Sequence, residues 1–192
     1  MSCIKPKLHW LHFIWLFVYI LGFLTSVGLS SHVDVDESHP TTTLSRIAFA
    51  SCNKQWLPNR LWDVIQDYTP QVYVWLGDNV YADKKVFGIP MWRVPGSLTD
   101  IKRSYDTLLA DPGYHALTEK TSIIGTWDDH DYGENDGGAS FKDKTASQHL
   151  FLDFLGVPSD HPRRERNGVY SSTTYGLPPH QVQSNLTYLC LL

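Results

Sequence analysis

The residues best suited to chemistry fall in three short segments. In Gly77-Asp78-Asn79-Val80-Tyr81 a carboxylate directly follows a glycine, and a phenol stands three residues later. The glycine permits a sharp turn, and a carboxylate projecting from that turn can bridge two hard cations. Tyr81 can reach the same centre as a phenolate if the cation is as acidic as ferric iron. The alternative for Asp78 is a turn residue that caps a following helix. The second segment is Asp128-Asp129-His130-Asp131, with Glu134, Asn135 and Asp136 close behind. Acids this dense repel one another unless water or cations neutralise them. Carboxylate oxygen and imidazole nitrogen together suit hard and borderline metals. A solvated acidic loop is the alternative, but the run follows directly on an apolar stretch ending in Trp127. The third element is Cys52, at the end of another apolar run, either a small core residue or a thiolate ligand.

These residues need elements to hold them. Arg46–Ser51, Val72–Leu76 and Ser122–Thr126 are short and apolar and read as buried strands. Pro58 suits the first turn of a helix, with Leu61, Trp62, Val64, Ile65 and Tyr68 on its buried face. Ser97 or Thr99 can cap a second helix reaching about Ala110, with Ile101, Tyr105, Leu108 and Leu109 at helical spacing. Phe141–Leu155 reads as a third, amphipathic helix. Gly168–Tyr175 alternates like a fourth strand, and residues 83–97 read as an irregular loop. Strands alternating with helices predict an α/β fold with parallel strands. In such sheets ligands bind beyond the carboxyl ends of the strands. Cys52, Asp78 and Asp129 each stand just past such an end, so three strand ends converge on one candidate site. Arg163-Arg164-Glu165-Arg166 reads as a solvated loop, and the histidines outside the three segments as surface or packed residues.

Composition bounds the rest. The 192 residues suffice for one domain with a sizeable core, and 42% hydrophobic with 13% aromatic residues is a globular composition. A formal charge of −4 lends no support to nucleic-acid binding. Residues 1–30 carry Lys5 and Lys7, then the apolar run Phe13–Leu24, then small residues, which is the order of a secretory signal peptide. The alternative is an uncleaved hydrophobic helix over residues 11–29, close to the ~20 residues that span a bilayer. Both readings place the chain in the secretory pathway, extracellular or membrane-anchored. Residues 31–45 read as a linker. Of the three cysteines only Cys52 lies inside the domain, and nothing in the spacing forces a pairing with Cys190.

Taken in order, Phe49-Ala50-Ser51-Cys52-Asn53, Trp75 to Asp83 and Thr126 to Asp136 resemble the PhoD-like phosphatases of the calcineurin-like metallophosphoesterase superfamily. Pro162-Arg163-Arg164 and Gly168-Val169-Tyr170-Ser171 add to the likeness, which covers residues 46–180. The resemblance implies part of a β-sandwich flanked by helices, with metal ions at strand ends and phosphate esters as substrates. By the same resemblance Asp78 bridges the metals, Tyr81 matches an iron-ligating tyrosine of related phosphatases, and Cys52 matches a metal-ligand position of the family. Asp129 binds metal, His130 contacts phosphate and assists the leaving group, and Asn135 is a further ligand. The implied cofactors are divalent and trivalent ions, iron with calcium or another divalent ion. Family members continue into further strands and a late Gly-Asp-x-His-type motif that completes the site. Here Gln181 to Ser184 runs on into Asn185–Leu192. The expectation is therefore the N-terminal part of a metallophosphatase domain over 46–180, a divergent tail over 181–192, and weak or absent turnover in this form. A non-catalytic metal-binding or interaction protein is the alternative.

Overall fold

The computed structural model describes residues 43–85 and 93–187. The leader, most of the linker and Cys190 lie outside the described residues. Among the described residues no helix is long and apolar enough to cross a membrane.

Three strands form a parallel sheet in the order β1–β2–β5, with β1 at Ile47–Ala50, β2 at Val72–Leu76 and β5 at Ser122–Thr126. Ile47 is in register with Val72, and Val72 with Ser122. The two-residue side-chain period splits β2 between two apolar clusters. Tyr73 and Trp75 face the helices, where they join Trp62, Tyr114, Phe151 and Phe154 in the main core. Val72 and Val74 face the opposite way and pack with Tyr175, Ile124 and Leu186. Burial on both faces is what a near-continuous apolar strand such as VYVWL requires. The main core is mostly aromatic: Trp62 packs 5.2 Å from Tyr114 and 6.1 Å from both Tyr73 and Trp75, ring centre to ring centre. The Trp75 indole N–H donates to Tyr114 Oη at 3.0 Å, which satisfies the polar edge of a fully buried ring.

Among the described residues five helices and two small ladders surround the sheet. The helices are α1 (Leu61–Tyr68), α2 (Leu98–Leu109), α3 (Pro112–Thr118), α4 (Asp129–Tyr132) and α5 (Lys144–Phe154). A single 3-10 turn covers Pro162–Arg164. Ser97 caps α2: its hydroxyl accepts from Asp100 N, and the Asp100 carboxylate accepts in return from Ser97 N. Asp111 caps α3 through Gly113 N and Tyr114 N.

Several sequence expectations need correction. In α1 only Trp62 is buried; Leu61, Val64 and Tyr68 are exposed, and Ile65 is partly covered. Apolar residues at 61, 64 and 68 form a second stripe beside the Trp62–Ile65 stripe, and that stripe has no element over it among the described residues. Leu109 is likewise exposed at the end of α2. Helix α3, the antiparallel ladder β3 (Lys84–Lys85) with β4 (Arg93–Val94), and strand β7 (Val182–Leu186) were not foreseen. The first lies in a segment short enough to read as a loop. The ladder is two residues deep, below any periodic signal. β7 pairs antiparallel with β6 (Ser171–Tyr175) from Ser171–Leu186 to Tyr175–Val182. Its sequence, VQSNL, lacks the apolar alternation by which a strand is recognised.

Candidate metal centre

The ends of β1, β2 and β5 meet on one edge of the sheet. Gly77 and Asp78, just past β2, both have positive φ, 99° and 49°, and Cys52, just past β1, has φ 58°. A side-chain-bearing residue in this left-handed region is strained, and such strain concentrates at functional turns. At Gly77 a Cβ atom would stand 2.7 Å from Asp128 Cβ, so glycine is what lets the β5 turn approach the β2 turn. Backbone bonds then join the β1 and β2 turns: Cys52 N donates to Gly77 O and Asn53 N to Asp78 O.

Three ligand-type atoms converge there. Asp78, Asp129 and His130 offer one ligand atom each, all within 4.8 Å of one another. Tyr81 Oη donates to Asp78 Oδ2 at 2.7 Å, and Cys52 Sγ lies 3.7 Å from the same oxygen. The other Asp78 oxygen, Oδ1, is buried and has no hydrogen-bond partner. A buried anionic oxygen with no donor is costly, and a cation would relieve that cost. The donor set of carboxylates, imidazole, phenol and thiol fits a hard or borderline ion. Burial raises the Asp78 pKa, and the Asp129 and Asp128 charges add to the rise; the Tyr81 hydroxyl and a protonated His130 oppose it. Burial and the adjacent Asp78 carboxylate raise Tyr81 far above its usual value. In the metal-free chain Tyr81 is therefore a neutral phenol.

His130 is buried, with Nδ1 2.7 Å from Asp83 Oδ1, and its ring packs 4.3 Å from that of Tyr81. The Asp129 carboxylate is held from two sides: Oδ1 accepts from His130 N and Oδ2 from Asp136 N. Asn135 is exposed, and its side-chain amide donates to Asp136 Oδ2.

The residue that sequence reasoning missed is Asp131. It is fully buried and accepts five hydrogen bonds. Oδ2 takes Asn79 N, Asn79 Nδ2 and Asp128 N, while Oδ1 takes Val80 N and Tyr105 Oη. Burial pushes its carboxyl up to about 7, against the pull of the three backbone N–H groups. Asp131 thus ties the β2 turn to the β5 turn and sets the spacing of Asp78 and Asp129. The available signal was its position three residues after Asp128, the spacing of a capping box. Asp83, the partner of His130, and Gln55, which exchanges bonds with the Tyr81 backbone, gave no comparable signal.

A family model described as PhoD-like phosphatase matches residues 47–153, more than half of the chain. That span includes the ends of β1, β2 and β5 and every residue of the cluster. No curated protein and no solved structure gives a significant match.

Proposed function

We propose that this chain, which belongs to the PhoD-like phosphatases, is a metal-dependent phosphoester hydrolase whose cation is held by Asp78 and Asp129, with His130 beside them as the proton-exchanging residue. The observations that carry the proposal are the clustering of those three groups and a buried Asp78 oxygen that lacks any donor. Cys52 and Tyr81, both against Asp78 Oδ2, close the centre on the β1 side, and Asn135 is an outer candidate. The parallel sheet, with helices on one face and the β6–β7 hairpin packed on the other, reads as part of a metallophosphoesterase sandwich.

A bound divalent or trivalent cation supplies Lewis acidity toward a phosphoryl oxygen and toward water. The protein groups hold and orient. Asp131 fixes the two turns, and Asp129 is set by its two backbone donors. The Asp83 carboxylate accepts the His130 Nδ1 proton, which leaves Nε2 as the ring atom able to exchange a proton with the leaving oxygen.

The purified chain is expected to contain metal and to hydrolyse a generic aryl phosphate weakly, losing that activity on chelation and regaining it when metal is returned. A chain with neither metal nor hydrolysis would sink the proposal, while stoichiometric metal without turnover would make this a non-catalytic metal-binding protein. Asp83→Asn is expected to lower turnover about tenfold, as loss of an outer carboxylate partner does. Metal content should not change. Loss of metal in that variant would show that Asp83 supports the ion and not the proton on His130.

A further inference from the structure

A groove of about 330 Å³ begins at Cys52 and Asn53 and runs between the β1–α1 loop, α1 and the sheet. Its floor is Trp62, Tyr73 and Trp75, all buried, and Leu57 and Leu61 stand at its rim, both more than half exposed. Among the described residues Lys54 is its only charged lining residue. The volume lies in the range of small-molecule sites, and the mix of apolar walls with a few polar groups is typical of them.

The groove is continuous with the candidate metal centre. Cys52 and Asn53 line the groove and also contact the β2 turn: Cys52 Sγ reaches Asp78 Oδ2, Asn53 N donates to Asp78 O, and Asn53 Nδ2 donates to Asn79 O. Two residues on, Gln55 both donates to Tyr81 O and accepts from Tyr81 N. Trp56 packs edge-on against Tyr81, and the next residue, Leu57, lines the groove. One loop therefore walls the groove and is pinned to the residues around Asp78, so a molecule spanning both meets a preformed surface.

We propose that this groove binds the apolar organic group of the phosphoester whose phosphorus sits at the metal centre. The chain would then prefer aryl or long-alkyl esters to small polar ones. Among the described residues the lining holds Lys54 and no acidic side chain, which suits an apolar group that carries a phosphate. This inference rests on the phosphoester-hydrolase reading, and its test separates the two.

Binding of 2-naphthylphosphonate, methylphosphonate and 2-naphthol to the full chain is measured by calorimetry, with metal content determined in the same samples. Naphthylphosphonate is expected to bind at least tenfold more tightly than methylphosphonate. Leu57→Asp and Leu61→Asp, both at exposed positions, are expected to shrink that gap to about threefold or less with metal content unchanged. Equal binding of the two phosphonates with 2-naphthol unbound overturns the groove and leaves the metal centre standing, as does a gap that survives both substitutions. Naphthol bound by the parent and lost in both variants, with no gain from the phosphonate group, keeps the groove and overturns the metal reading. No binding of any of the three overturns both.

Discussion

Asp78→Asn is expected to weaken metal binding at least tenfold, equivalent to about 1.4 kcal/mol, while leaving the metal-free chain as stable as the parent or more so. The two effects have opposite signs for one reason. Asp78 Oδ1 is buried without a donor, and burial with the Asp128 and Asp129 charges nearby disfavours its ionised form. In the metal-free protein that charge is a cost, which a neutral amide removes. With a cation present the same charge is the strongest attraction the turn offers, and the amide forfeits it. Asparagine also keeps an oxygen to accept the Tyr81 hydroxyl that now donates to Asp78 Oδ2. Stability at the expense of function is the pattern expected where a site holds an unfavourable arrangement for its ligand. Metal content and thermal melts with and without chelator measure both quantities. Unchanged metal affinity would remove Asp78 from the centre. Lower affinity together with a less stable metal-free chain would make Asp78 a structural residue of the turn.

The parts of this arrangement that could be read from sequence are those set by local pattern. VYVWL and SIIGT are apolar runs bounded by turn residues, and they are β2 and β5. Ser97 with Asp100 three residues later is a capping box by type and spacing, and α2 begins there. Once three parallel strands were inferred, the carboxyl-end rule placed Cys52, Asp78 and Asp129 on one edge. The rest depends on contacts between residues far apart in sequence. Asp83 lies 47 positions from His130, and Gln55 lies 26 from Tyr81. Neither pairing leaves a trace in periodicity or propensity. Burial was misjudged in α1 for a related reason: the helical pattern says which residues share a stripe, whereas a neighbouring element decides which stripe is covered. β7 shows the converse. A polar five-residue segment became a strand because β6 offered it a partner, so tertiary context overrode its weak intrinsic preference.

Asp131→Ala is expected to cost about 3–5 kcal/mol of stability, roughly 10 °C in Tm for a chain of this size. It should also abolish tight metal binding, although Asp131 is not itself a candidate ligand. The carboxylate accepts from Asn79 N, Val80 N and Asp128 N, three backbone donors on two different turns. Alanine leaves these donors without that acceptor in the interior, where an unmade hydrogen bond costs far more than at the surface. It also removes a side chain that accepts from backbone N–H groups of both the β2 turn and the β5 turn. Those turns carry Asp78 and Asp129, so the spacing that brings their oxygens within ligand distance is lost with it. Asp131→Asn separates charge from shape. The amide is nearly isosteric, but one of its two terminal groups is NH2, and in either orientation that group faces a backbone N–H where an acceptor is required. Asparagine should therefore recover only a minor part of the loss. Asn135→Ala, at an exposed position in the same acidic stretch, should change stability by no more than about 0.5 kcal/mol. Denaturant melts and metal titrations of the three variants give the comparison. If Asp131→Asn matched the parent in both measurements, the carboxylate could not be the group that holds the two turns together. The spacing of the candidate metal ligands would then be set by the backbone bonds between the β1 and β2 turns and by the close approach at Gly77.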